Sequence, residues 1–112
     1  MSRHSKEQAR RLDEAKARIR ERAKGRIHQS QSEREASDKQ DEQAYTRYMK
    51  QLDIDEAGQH RLTHFANGEK KLPAHIAAIK QVFEDERTQE RAAYKHLQDM
   101  HKKIDKVFPG SK

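Results

Sequence analysis

Apolar positions recur along this chain at helical spacing. From Ser5 to about Arg26 the residues are strong helix formers with Gly25 as the only breaker, and Leu12, Ile19, Ala23 and Ile27 fall on one narrow stripe. A helix with a thin seam is predicted, marginal on its own because little apolar area offsets nucleation. From His28 to Asp38 no apolar residue exceeds alanine in size, so residues 29–40 read as a flexible polar linker. Tyr45, Tyr48, Met49 and Leu52 then show the i, i+3, i+4, i+7 pattern of a buried helical face. Asp53-Ile54-Asp55 interrupts that face. With Asp55 as N-cap, a short helix is expected from about Glu56 to Ala66, turning Leu62 and Phe65 inward and ending at Asn67-Gly68.

Pro73 suits the first turn of a last helix, and no Gly or Pro follows until Pro109. A helix of that length extends roughly 50 Å, longer than so small a domain needs for its own core. Its heptad positions are Ile76, Ile79 and Phe83, then Glu86 and Glu90, then Ala93, Leu97, Met100, Ile104 and Val107. The seam is apolar at both ends and charged in the middle. Ile76, Ile79 and Phe83 are expected against the Tyr45–Leu52 and Leu62–Phe65 faces. Leu97, Met100, Ile104 and Val107 then lack a partner unless the N-terminal helix or another chain supplies one, which makes them candidate interface residues and a homodimer the expected state. The expected fold is all-α: a basic helical arm over 1–28, mobile; a linker over 29–40; and a helical domain over 41–112, in which a short helical pair packs on one long C-terminal helix.

Composition sharpens this picture. Of 112 residues, 39% are charged, 31% hydrophobic and 5% aromatic, with no Trp, so neither a large core nor an enclosed pocket is expected. The chain has no cysteine, which excludes disulfides, thiolate zinc sites and thiol nucleophiles, and a cytoplasmic location is expected. No apolar run approaches the ~20 residues of a spanning helix, and the arm lacks the Phe or Trp that inserts into a bilayer surface, so no membrane partner is expected. No nucleophile elbow, Walker loop, dinucleotide fingerprint or paired acid in an apolar setting occurs, and a non-enzymatic protein without cofactors is expected.

The net charge of +6 is distributed unevenly. Residues 1–28 carry 10 basic and 4 acidic side chains, residues 29–56 carry 4 and 8, and residues 57–112 carry 11 and 7. Arg10, Arg11, Lys16, Arg18, Arg20, Arg22, Lys24 and Arg26 place cations within reach of successive phosphates, so the arm is the leading candidate for binding nucleic acid. The same helix could instead be a solvated coiled-coil strand whose basic residues pair with glutamates on a neighbour. Arg91, Lys95, Lys102 and Lys106 form a second basic stripe opposite the distal seam. The competing function is a protein–protein interaction module, an adaptor, inhibitor or secretion-type helper, that docks an acidic or helical partner through that seam.

His60 and His64 stand one helical turn apart, a spacing that can hold a metal, but no glutamate lies between them and no third ligand stands at a diagnostic spacing; surface histidines are expected, and no metal. The run Leu62-Thr-His-Phe65-Ala-Asn-Gly68-Glu-Lys-Lys-Leu-Pro73-Ala-His-Ile76 resembles the end of a recognition helix and the following turn in phage-repressor helix-turn-helix domains. The likeness covers 15 of 112 residues. Upstream, the apolar position expected before the motif falls on Asp55 and the tight-turn glycine on Glu56. What the resemblance implies is a groove-facing role for His60, Arg61, Thr63 and His64.

Overall fold

A computed structural model describes residues 3–67 and 73–110. All secondary structure among them is helical: α1 spans Arg3–Ala23, α2 Gln31–Asn67 and α3 Pro73–Val107, with a 3₁₀ turn over Lys24–His28 between the first two. The all-α expectation holds, with α1 and α2 both packed on the long C-terminal helix. Among the described residues no helix is long and apolar enough to cross a membrane.

The helices form a layer rather than a ball, with extents of 61 × 31 × 15 Å. α3 lies between the other two. It runs antiparallel to α2, as three cross-pairs show: His101 with Asp38, Tyr94 with Tyr45, and Arg87 with Asp53. It runs parallel to α1, since Glu86 meets Arg11 and Asp105 meets Arg26. The apolar core is correspondingly small. Ala23 of α1, Leu52 of α2 and Leu97 of α3 are its buried hydrophobic side chains, one from each helix. The Tyr45 and Tyr94 rings stack with centroids 4.3 Å apart and planes 8° from parallel, an aromatic clamp between α2 and α3.

Three expectations need correction. The stretch expected to be a linker over 29–40 is helical from Gln31 onward. Its start is a reciprocal cap: the Ser30 hydroxyl accepts from the Glu33 N–H at 3.2 Å, and Glu33 Oε1 accepts from the Ser30 N–H at 3.2 Å. Two donors that a helix start leaves open are thereby satisfied. Nor does Asp53-Ile54-Asp55 break the helix, so α2 is one rod of 37 residues instead of a short pair. Asp53 and Glu56 accept hydrogen bonds from Arg87 at 2.8 and 3.2 Å, and Asp55 accepts one from Gln51 a turn earlier, so none of the three caps a new helix. Continuity also sets the register: Tyr45 meets Tyr94 of α3 rather than the Ile76–Phe83 segment.

The third correction concerns the arm and the distal seam. Residues 3–28 are docked along α3, with the Gln89 amide donating to the Gln8 carbonyl at 2.8 Å, so the seam expected to await another chain is covered from within. Leu97 is 8% exposed, Met100 and Ile104 are half-buried, and of the four only Val107 stands out, 67% exposed. At the end of α3 the chain returns to the start of α2. Gly110 comes so close there that a Cβ on it would lie 2.8 Å from the Gln31 nitrogen.

If the reciprocal cap starts α2, Ser30→Ala should cost about 1 kcal/mol in denaturant unfolding, and Glu33→Ala should add little once Ser30 is gone. Fully additive losses would show that the two residues act separately.

Candidate nucleic-acid interface

The most deeply buried polar side chains are two arginines, Arg26 at 4% and Arg34 at 1% exposure. The 3₁₀ segment turns Arg26 inward, where its guanidinium forks onto two carboxylates. Nε and Nη2 donate to Asp105 at 2.8 Å each, and Nη1 and Nη2 donate to Asp38 at 2.7 and 3.2 Å. Arg34 donates through Nη1 to Asp105 at 3.0 Å and through Nε to the Arg26 carbonyl at 3.1 Å. Two cations and two anions thus join the turn, α2 and α3 in a neutral cluster. Hydrogen bonding to Arg26 holds the Asp105 carboxyl below its ordinary range, and the Asp105 and Asp38 carboxylates raise the Arg26 guanidinium.

The other cations of the arm divide by what they meet. Arg11 donates to Glu86 of α3 at 2.8 and 3.3 Å, and the same glutamate accepts from the Tyr48 hydroxyl at 3.4 Å. The charged middle of the α3 seam is therefore where an arginine of α1 docks. Arg22 reaches Asp41 of α2 at 3.3 Å. Arg10 pairs with Glu7 and Glu14, and Lys24 with Glu21, all within the arm and well exposed. Lys16, Arg18 and Arg20 have no ion-pair partner among the described residues; Lys16 is half-buried and the two arginines are exposed. So the eight candidate residues do not form one face. Arg11, Arg22 and Arg26 pair α1 with α2 and α3, while Arg18, Arg20 and the locally paired Arg10 and Lys24 are open to solvent and Lys16 is half-buried.

On α3, Arg91, Lys95, Lys102 and Lys106 are all exposed, and of these Arg91 alone is paired among the described residues, with Glu84 at 2.8 Å. The two-histidine motif and the helix-turn-helix likeness are only partly visible. Gly68–Leu72 and the side chains of His64 and Phe65 lie outside the described residues, His60 is half-buried, and Arg61 is exposed. α2 passes through Asp55-Glu56 without a turn, so the separate helix that a helix-turn-helix domain places before its recognition helix does not occur among the described residues.

A different trio brings ligand-type atoms together: Asp38, Asp41 and His101 lie within 4.8 Å of one another. Arg26 pairs with Asp38, Arg22 reaches Asp41 Oδ1 at 3.3 Å, and His101 Nδ1 lies 3.2 Å from Asp38 Oδ1, so the trio adjoins the arginine cluster, while Asp41 Oδ2 is buried without a hydrogen-bond partner. Burial, and after it the Arg26 charge, lowers the His101 pKa from its ordinary 6.5 against the opposing pull of Asp38, Asp41 and Asp105. Arg34, Asp105 and His101 went unrecognised by sequence reasoning, because arginine and aspartate are rarely buried and nothing in their spacing marks them. The Ser30/Glu33 pair was the readable clue, since a helix starting there brings Arg34 and Asp38 onto one face.

No family model, curated protein or solved structure matches the chain.

Asp105→Asn leaves both buried arginines undercompensated; because Asp105 is 41% exposed and water can relax around it, the expected loss is at the low end for such pairs, about 3 kcal/mol. Denaturant unfolding reads it, and a change below about 0.5 kcal/mol would mean that Asp105 does not compensate these arginines. For His101 the folded pKa is the lower one, so its contribution is complete above pH 6.5 and is lost as pH falls from there toward the folded value. The melting temperature should decline over that interval, and His101→Gln should flatten the decline.

Proposed function

We propose that this is a small non-enzymatic accessory protein of the cytoplasm that binds nucleic acid through phosphate contacts from α1, assisted by the outer stripe of α3. The observation that carries the reading is the unequal pairing of charge. Lys16 and Arg20 stand one turn apart on α1 with no ion-pair partner among the described residues, and Lys102 and Lys106 do the same on α3. Like charges at that spacing destabilise a helix by a few tenths of a kcal/mol each. Phosphates placed against them would relieve the repulsion and release counterions. Arg10 and Lys24 belong to the same surface, because exposed pairs within one helix are weak enough to yield to a phosphate.

A docked α1 differs from a floppy basic arm in one respect. Arg11, Arg22 and Arg26 anchor it, so the helix would meet its ligand already formed, without the entropic cost of folding on it. With Leu97 buried, nucleic-acid binding does not require a second copy of the chain. For the competing docking function, Val107 and its neighbour Phe108 are the exposed apolar side chains at the end of that seam, beside half-buried Met100 and Ile104.

Lys16→Gln, Arg18→Gln and Arg20→Gln combined should leave the fold intact and weaken binding of both a DNA duplex and an RNA hairpin. The slope of log affinity against log salt should fall by roughly one for each phosphate that the variant no longer neutralises. A wild-type affinity independent of salt would overturn the proposal. Deleting residues 1–28 is not an equivalent test, because it removes Arg26 and with it the buried cluster.

A further inference from the structure

The segment richest in acid by sequence, residues 29–56, presents a basic face. Four of its eight carboxylates pair with arginines of the other elements: Asp38 with Arg26, Asp41 with Arg22, and Asp53 and Glu56 with Arg87. Glu33 caps its own helix, and Glu35 and Asp55 accept from Gln31 and Gln51. The opposite side of α2 tells the other half. At 100° per residue, the third of the circumference centred opposite Leu52 carries, among its larger residues, Lys39, Gln40, Gln43, Arg47, Lys50, Ile54, Arg61 and Phe65, the last with its side chain outside the described residues, and no acid. Lys39, Arg47, Lys50 and Arg61 are exposed and have no ion-pair partner among the described residues. They extend over about 33 Å of helix, close to one turn of a nucleic-acid duplex.

We infer that this outer face of α2 is a second phosphate-binding surface, fitted to the backbone of a double-stranded nucleic acid and indifferent to its sequence. The inference rests on the proposed nucleic-acid function but on different residues. Its chemistry selects among polyanions. Four such cations on a straight rod can neutralise phosphates along one side of a duplex, and glutamines between them add neutral donors. Single strands are held largely by bases stacked on aromatic rings, and the described side chains of this face include none; Tyr45 is stacked on Tyr94 on the inner side. A bilayer surface calls for a broad apolar face beneath the charges, and Ile54, 53% exposed, is the one large apolar side chain among the described side chains of this face.

Arginines of the neighbouring elements contribute to this arrangement. By pairing with Asp38, Asp41, Asp53 and Glu56, Arg26, Arg22 and Arg87 offset the repulsion that those four acids would otherwise exert on an approaching phosphate. A net acidic segment becomes a basic surface through the direction in which its side chains point.

The test uses the full chain and fluorescence anisotropy with a DNA duplex of about 20 base pairs, long enough to cover the stripe twice. One variant combines Lys39→Gln, Arg47→Gln, Lys50→Gln and Arg61→Gln. A second adds charge to the same face through Gln43→Lys and Ala57→Lys. Circular dichroism and the melting temperature verify the fold of each. The inference expects the first variant to bind at least about tenfold more weakly, with a salt slope smaller by about 3, and the second to bind more tightly with a steeper slope. If the α1 variant with Lys16, Arg18 and Arg20 changed to Gln loses affinity while both α2 variants match the wild type, the α2 face is overturned and the nucleic-acid reading stands. If the wild type fails to bind the duplex at low salt, that reading falls, and this face with it. If the first variant loses binding to anionic phosphatidylserine vesicles but keeps its duplex affinity, the surface serves a membrane and the inference is overturned.

Discussion

Arg26 is almost out of water, and a guanidinium in that position must be answered on its whole fork or it destabilises the fold that buries it. Asp105 from α3 answers one edge and Asp38 from α2 the other, while Arg34 near the start of α2 completes the charge balance on Asp105. Much of the architecture follows. α1 cannot swing away, because its end runs into the turn that presents Arg26. The start of α2 cannot fray without moving Arg34, and the C-terminal turns of α3 are held against both. Where three small hydrophobic contributions, Ala23, Leu52 and Leu97, make up the buried apolar core, directional charge pairs set the arrangement of the helices.

A core of this kind has a cost and a consequence. Dehydrating two guanidiniums is unfavourable, and an apolar replacement of the whole cluster could be more stable than the native one. What directional polar contacts supply is register. The contacts from Asp38 to His101 and from Asp53 to Arg87 bracket the Tyr45–Tyr94 stack, so α2 cannot slide by a turn along α3 without breaking each of them. The same pairing sorts the surface. Acids that face inward are neutralised, and the basic residues of α1, of the outer stripe of α3 and of the outer face of α2 are left to solvent.

Much of the fold was legible in the sequence, and the unread part shares one physical cause. Apolar periodicity marks α1, the Tyr45–Leu52 face and the long α3, because each carries enough hydrophobic positions to show a period. It fails over 29–40, where the helix is fixed by a hydrogen-bonded cap and by Arg34 and Asp38, none of which registers as apolar. The charge in the middle of the α3 seam was visible, but its meaning was not: Glu86 receives Arg11, so the position divides the seam and joins two helices at once. Of the candidate site, Arg18 and Arg20 are exposed and Lys16 is half-buried, all three without an ion-pair partner among the described residues, whereas Arg11, Arg22 and Arg26 sit in ion pairs that composition cannot distinguish from free charge. The seam inferred from Leu97 to Val107 is covered in part by the docked arm, fully at Leu97, half at Met100 and Ile104, and not at Val107.

The claim on which the rest depends is that α1 is a docked helix fixed by charge pairs, and it can be measured as a distance. The chain has no native cysteine, so Ala17→Cys and Gln98→Cys, both at exposed positions, place two spin labels without ambiguity on α1 and α3. Double electron–electron resonance should give one narrow distance distribution at low and at high salt, because Arg26 is itself buried and partly buried pairs are screened less than exposed ones. Adding Asp105→Asn should broaden it. A broad distribution in the otherwise native chain, unchanged by that substitution, would contradict the account and return α1 to the status of a free basic arm.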